Sequence, residues 1–210
     1  MKMYDVTSHI FEGMTVYKNK QEKQPKLKSE TAGYVTESRI ELDVHTGTHI
    51  DAPLHMVTNG DTFDTLSLDK LVGKCKVLDL TEVEDRIGRD DLEHFDIQKN
   101  DFVLFKTKNS FEETFNPHFI FLAEDGAEYL ARVGVQGIGT DALGIERSQL
   151  GHPTHKILFE NGVIIIEGLR LKEVAEGEYF LVAAPLKLVG TDASPSRVLL
   201  FKGIKDSDNY

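Results

Sequence analysis

The sequence predicts an α/β fold with a mixed β core and a few covering helices. Three observations carry this: eight short β-branched or aromatic-rich runs, three helix-like segments among the later runs, and turn residues bounding both. The runs at 3–7 and 38–45 come first, followed by 76–80, 102–106, 135–140, 162–167, 179–183 and 198–201. The first helical segment, 89–94, opens with the pair Asp90-Asp91. The second, 123–133, places apolar residues at helical spacing and stops before Gly134. The third, 153–161, has Pro153 in its first turn and Asn161-Gly162 as its stop. Strands first, then strands mixed with helices, fit a largely β core carrying helices on part of its surface. The Lys-rich stretch 17–29 reads as a solvated loop or arm rather than a binding patch.

The chain has 210 residues, no internal repeat and no low-complexity linker, so one domain over 1–210 is expected. Its 24 basic residues against 35 acidic ones give a formal charge of −11, which argues against a nucleic-acid or anionic-membrane partner. A single cysteine, Cys75, rules out an intrachain disulfide and a Cys-rich zinc site. It reads as an inert packed thiol. The opening MKMYDVTSHIFEG has no apolar leader core, and the apolar stretches 163–166 and 179–186 are too short to span a bilayer. A cytoplasmic protein is expected. Eight histidines in an acidic chain remain to be explained.

Three of them fall within His45-Thr-Gly-Thr-His49-Ile-Asp51-Ala-Pro-Leu-His55. Imidazole and carboxylate are the usual protein ligands for zinc, and both also suit manganese and iron. All four candidates are odd-numbered and would share one face of an extended strand. An ideal strand would nevertheless hold His45 and His49 roughly 13 Å apart, whereas metal–ligand bonds are about 2 Å. The chain must bend, and Gly47 is the residue free to do it. Pro53 then ends regular pairing before His55. Four such groups around a forced bend point to a metal or catalytic site, because clustered desolvated polar groups are costly without a cation to share.

A second constellation runs from His152 through His155 to Glu167. Glu167 ends the most apolar strand, where a carboxylate survives by pairing, protonation or metal binding. Its ordinary partner would be Arg170 or Arg132. His155, on the preceding helix, can reach it through the Asn161-Gly162 turn. His152 also suits a solvated helix start. Gly137-Ile-Gly139 lacks the third glycine of a dinucleotide loop, and Asp141 is left as a residue that could face a site. The acidic residues between Glu82 and Glu93 read as surface, and His9, His94 and His118 have no suggestive partners.

The segment HTGTHIDAPLH resembles the H-x-G-T-H-x-D-x-P-x-H signature of the metal-dependent cyclase family, which includes bacterial kynurenine formamidases and isatin hydrolase. The similarity continues through His155 and the stretch from IIIEGLRLKEV to SRVLLF. It implies a swivelling β/β/α domain, assembled as a homodimer or larger oligomer. It implies that His45, His49 and Asp51 hold one divalent metal, zinc first and manganese second. Asp51 would bridge to a second ion held by His155 and Glu167, with His55 as the catalytic proton shuttle. The implied activity is hydrolysis of a small-molecule amide, N-formyl-L-kynurenine, to kynurenine and formate in tryptophan catabolism. The chain departs from the formamidase pattern at 15–19, where a Trp-Pro-Gly-Asp type segment is expected, and at 140–147; it contains no tryptophan. A related cyclic-amide or lactone hydrolase is the alternative substrate reading. A non-catalytic metal-binding module is the alternative of another class, although structural zinc prefers a closed four-ligand shell.

Overall fold

The computed structural model describes residues 1–204. Twelve strands are present among them: β1 (Lys2–Asp5), β2 (Lys26–Ala32), β3 (Val35–Glu41), β4 (His49–Asp51), β5 (Val72–Asp79), β6 (Arg86–Ile87), β7 (Phe102–Lys106), β8 (Phe121–Leu122), β9 (Gly137–Thr140), β10 (Ile164–Glu167), β11 (Gly177–Pro185) and β12 (Ala193–Lys202). Eight form one sheet in the order β1-β12-β11-β5-β7-β9-β10-β4. Because β4 also pairs with β12, seven of them close into a ring, with β1 added outside on β12. Strands β5, β7, β9 and β10 run parallel, and β4 closes the ring antiparallel to both of its neighbours.

Alternation along the strands separates two cores. Cys75 and Val77, Phe102 and Leu104, Ile164 and Ile166, Leu181 and Leu200, with Ile50 of β4, pack together inside the ring. Val103, Phe105, Ile138 and Ile165 point outward into a second cluster with Ala127, Leu130 and Leu158. These outward residues lie under the helices α2 (Glu124–Val133) and α3 (Pro153–Glu160). Strands covered on both faces become continuous apolar runs, which is why FVLFK and IIIE are so legible. Gly134 ends α2 in a left-handed conformation, as its position after the last periodic residue predicts. A third helix, α1 (Arg89–Leu92), is one turn long. No helix among the described residues is long and apolar enough to cross a membrane.

The mixed α/β expectation holds, with two corrections near the amino end. The run expected at 38–45 ends at Glu41, and His45 lies in a turn whose Thr46 N–H donates to the Asp43 carbonyl. The stretch 17–29 is a solvated arm only in part, since β2 begins at Lys26 and pairs with β3 in a hairpin exposed on both faces. Strand β2 carries no buried alternation for pattern reading to detect, whereas the expected run overlaps β3 at 38–41. Strand β4 was missed because three residues are too few to show a period.

Candidate metal centre

The candidate site lies on the outer face of the ring, where β4 meets β10 and α3 crosses above. Ile50 and Ile166 point inward, so their neighbours His49, Asp51 and Glu167 point outward. Glu167 is directly opposite His49 in the antiparallel register, and opposed side chains on one face stand close. Here Glu167 Oε2 is 3.3 Å from His49 Nε2. Asp51, two residues along β4, places Oδ1 3.4 Å from the same nitrogen. His155 of α3 brings Nε2 to 3.8 Å from Asp51 and 3.6 Å from Glu167.

His45 arrives from the other side of the bend. Gly47 has φ +64°, the left-handed hinge the spacing demanded. Gly168, at φ +72°, lies so close that an added Cβ would sit 2.3 Å from the Gly47 carbonyl oxygen. The two glycines let the backbones beside the site touch. His45 Nδ1 then lies 3.1 Å from Asp51 Oδ1, and its ring centre is 4.9 Å from that of His49. His55 follows on the single turn Pro53–His55, half-buried, its ring 4.2 Å from His45.

The structure therefore brings together all six residues singled out in the sequence. Ligand-atom distances define three groups, His45–Asp51–His55, His49–Asp51–Glu167 and Glu146–His152–His155; the first two share Asp51, and His155 belongs to the third. Thus His49 is grouped with Glu167 rather than with His45.

Charge makes this arrangement unstable without a cation or bound protons. His49 Nδ1 pairs with the Gly47 carbonyl at 3.0 Å, so that nitrogen carries the hydrogen and Nε2 faces the carboxylates. His49 Nε2 and both Asp51 oxygens are buried with no hydrogen-bond partner. Burial pulls the His49 pKa down, but contacts with Asp51 and Glu167 outweigh it and raise it to about 10. Burial and Asp51 push Glu167 up, while His155 and His49 win and hold it at about 2. Asp51 is likewise well below its ordinary value: burial opposes this, and the His155, His45 and His49 rings overcome it. A cation of two charges could replace those protons. The donor set fits such an ion: imidazole nitrogens and carboxylate oxygens, with one ring already anchored to a backbone carbonyl through its other nitrogen.

The remaining sequence candidates separate cleanly. Glu167 takes no arginine partner; its Oε1 accepts the Ile145 N–H at 2.6 Å, while Arg170 is exposed and reaches the Glu112 carbonyl. Asp141 is saturated by the Thr107–Ser110 turn. His152 is more than half exposed and pairs with Glu146. His9, His94 and His118 are exposed. Cys75 is buried, which pushes its thiol up to about 12 and leaves it inert.

Two residues beside the site were not foreseen. Glu146, buried, accepts the His155 backbone N–H at 3.2 Å and lies 3.5 Å from His155 Nδ1. Asp192 pairs with both His45 and His55. Neither has a sequence signal, because turns and distant strand pairing deliver them.

Comparison with known proteins gives the family. The sequence model of the family described as putative cyclase matches residues 4–147. A kynurenine formamidase of Salinibacter ruber is 32% identical over 206 residues, covering 95% of this chain and 97% of its own. A solved structure described as a predicted metal-dependent hydrolase from Bacillus stearothermophilus is 70% identical, with TM-score 0.89 over 95% of this chain and 97% of that one. Isatin hydrolase A from Labrenzia aggregata, at 23% identity and TM-score 0.81 over 95% of this chain and 93% of its own, shares the fold. The matched residues include His45–His55, and the chain belongs to the cyclase family.

Proposed function

We propose that the chain is a metal-dependent amide hydrolase that converts N-formyl-L-kynurenine to kynurenine and formate, working as one domain over 1–210. The observation that carries the reading is the buried pocket in which His49 Nε2 and both Asp51 oxygens lack hydrogen-bond partners. Relatives named kynurenine formamidase, at 32% and 37% identity, support the substrate. His45, His49 and Asp51 would hold one ion, and Asp51, His155 and Glu167 a second. Zinc is the first choice and manganese the second.

When bound, a divalent ion supplies a lower water pKa, from about 15.7 towards about 7, and positive charge for the developing oxyanion. His55 moves the proton. Burial holds its pKa below the ordinary imidazole value, against the pull of Asp51, so the ring is a neutral base near neutral pH. It accepts a proton from the attacking water and donates it to the aniline nitrogen as the C–N bond breaks. The water oxygen leaves in formate.

Assembly as a homodimer or larger oligomer is supported by the β2–β3 hairpin. All fourteen of its strand residues are exposed, and an isolated two-stranded hairpin is marginal in water. Sedimentation as a monomer would remove that part of the reading.

The activity test compares N-formyl-L-kynurenine with isatin on the zinc- and manganese-loaded protein. Formate release from the first is expected, with turnover lost and metal retained in His55→Ala. Preferential opening of isatin would move the substrate to a cyclic amide. Near wild-type turnover in His55→Ala would contradict the shuttle. Firmly held metal with no hydrolysis of either compound would favour a binding module.

A further inference from the structure

Asp192 is the residue immediately before β12, and one of its oxygens serves two rings. Oδ2 lies 2.9 Å from His45 Nε2 and 3.2 Å from His55 Nδ1. The two histidines are 147 and 137 residues away in sequence. Their rings lie 4.2 Å apart, one against the other. An ionised carboxylate only accepts, so each ring nitrogen facing it must be the one that carries hydrogen.

The consequence for each ring follows from having two nitrogens and, when neutral, one hydrogen. Hydrogen on His55 Nδ1 leaves the Nε2 lone pair as the base. Hydrogen on His45 Nε2 leaves Nδ1 as the free donor atom, and Nδ1 is the atom 3.1 Å from Asp51. We propose that Asp192 is a positioning residue that fixes the Nδ1–H tautomer of His55 and turns His45 so that Nδ1 is the metal-facing nitrogen. The backbone supports this independently of the side chain. The Asp192 carbonyl accepts the Ala52 N–H at 2.9 Å, and the next residue, Ala193, is registered opposite Asp51. The strand pair that closes the ring therefore sets the carboxylate beside the two rings.

For His55 the inference rests on the reading of that residue as the proton shuttle, so its test does not depend on turnover. The Asp192 side chain is 39% exposed, and removing it opens no buried cavity. Asp192→Ala removes the acceptor, and Asp192→Asn keeps an acceptor oxygen. In metal-free protein with nitrogen-15-labelled histidine at mildly alkaline pH, His55 is expected as the Nδ1–H tautomer in the wild type. That population should fall in Asp192→Ala and recover in Asp192→Asn. Zinc affinity by chelator competition should weaken about 10- to 100-fold in Asp192→Ala and less in Asp192→Asn, with the melting temperature little changed. A wild-type His55 in the Nε2–H form would overturn the proposal. So would an alanine variant with unchanged tautomer and zinc affinity. A wrong substrate assignment would leave both readouts as expected, so the two failures are distinguishable.

Discussion

Asp51 and Asp141 are 4% and 5% exposed, and they meet the cost of burying a carboxylate in opposite ways. Asp141 accepts from the backbone N–H groups of Thr107 and Ser110, from both of their hydroxyls and from the Asn109 amide. These bonds lock the turn after β7 and leave no lone pair for a ligand. Asp51 has neither oxygen in a made hydrogen bond, and three imidazoles surround it. Their pKa values diverge accordingly. Burial raises Asp141 despite its donors, while the imidazoles carry Asp51 well below its ordinary value against the same burial. Burial of an acid is therefore no mark of a site. An unsaturated buried acid facing bases is one.

The largest expected contrast comes from removing each acid in turn. Asp51→Asn should lose bound metal and turnover together. Asp141→Ala should keep metal stoichiometry but unfold at lower urea, because it strands buried donors at a cost of about 3–5 kcal/mol. Elemental analysis beside urea melts checks both. An Asp141 variant that loses metal at unchanged stability would erase the distinction.

A smaller effect is expected from pH on the metal-free protein. With the folded pKa of His49 raised to about 10, above the unfolded value of 6.5, its contribution is complete below 6.5 and lost as pH rises through 10. Glu167, lowered to about 2 from 4.5, contributes above 4.5 and loses that as pH falls through 2. The cluster thus stabilises the metal-free fold most between these limits, from 4.5 to 6.5. Melting temperatures of the metal-free protein should fall between about pH 6.5 and 10, and the fall should be shallower in His49→Gln. Equal slopes in the two would contradict the assignment of this proton to His49.

What was legible in the sequence follows the same physics. The strands FVLFK and IIIE and the helix stopped by Gly134 were readable because burial on both faces, or on one stripe, writes a pattern into the residues. The hinge at Gly47 was readable because strand geometry could not otherwise bring His45 to His49. Strand β2 was not, since residues in water on both faces leave no alternation, and β3 was read only over 38–41. Asp141 stayed undecided because its donors, Thr107, Asn109 and Ser110, come from a different turn. Asp192 and Glu146 were invisible for a related reason. Each reaches the histidines through a strand pairing or a turn of irregular shape, and neither leaves a spacing to detect.

Anomalous diffraction across the zinc and manganese edges, on crystals of the loaded protein, tests the central claim most directly. The expected result is a peak among His45, His49 and Asp51, accompanied by one among Asp51, His155 and Glu167 when two ions bind, and none in crystals of Asp51→Asn grown alongside. A fully loaded crystal with its anomalous peak elsewhere, or with the peak unchanged in Asp51→Asn, would contradict it.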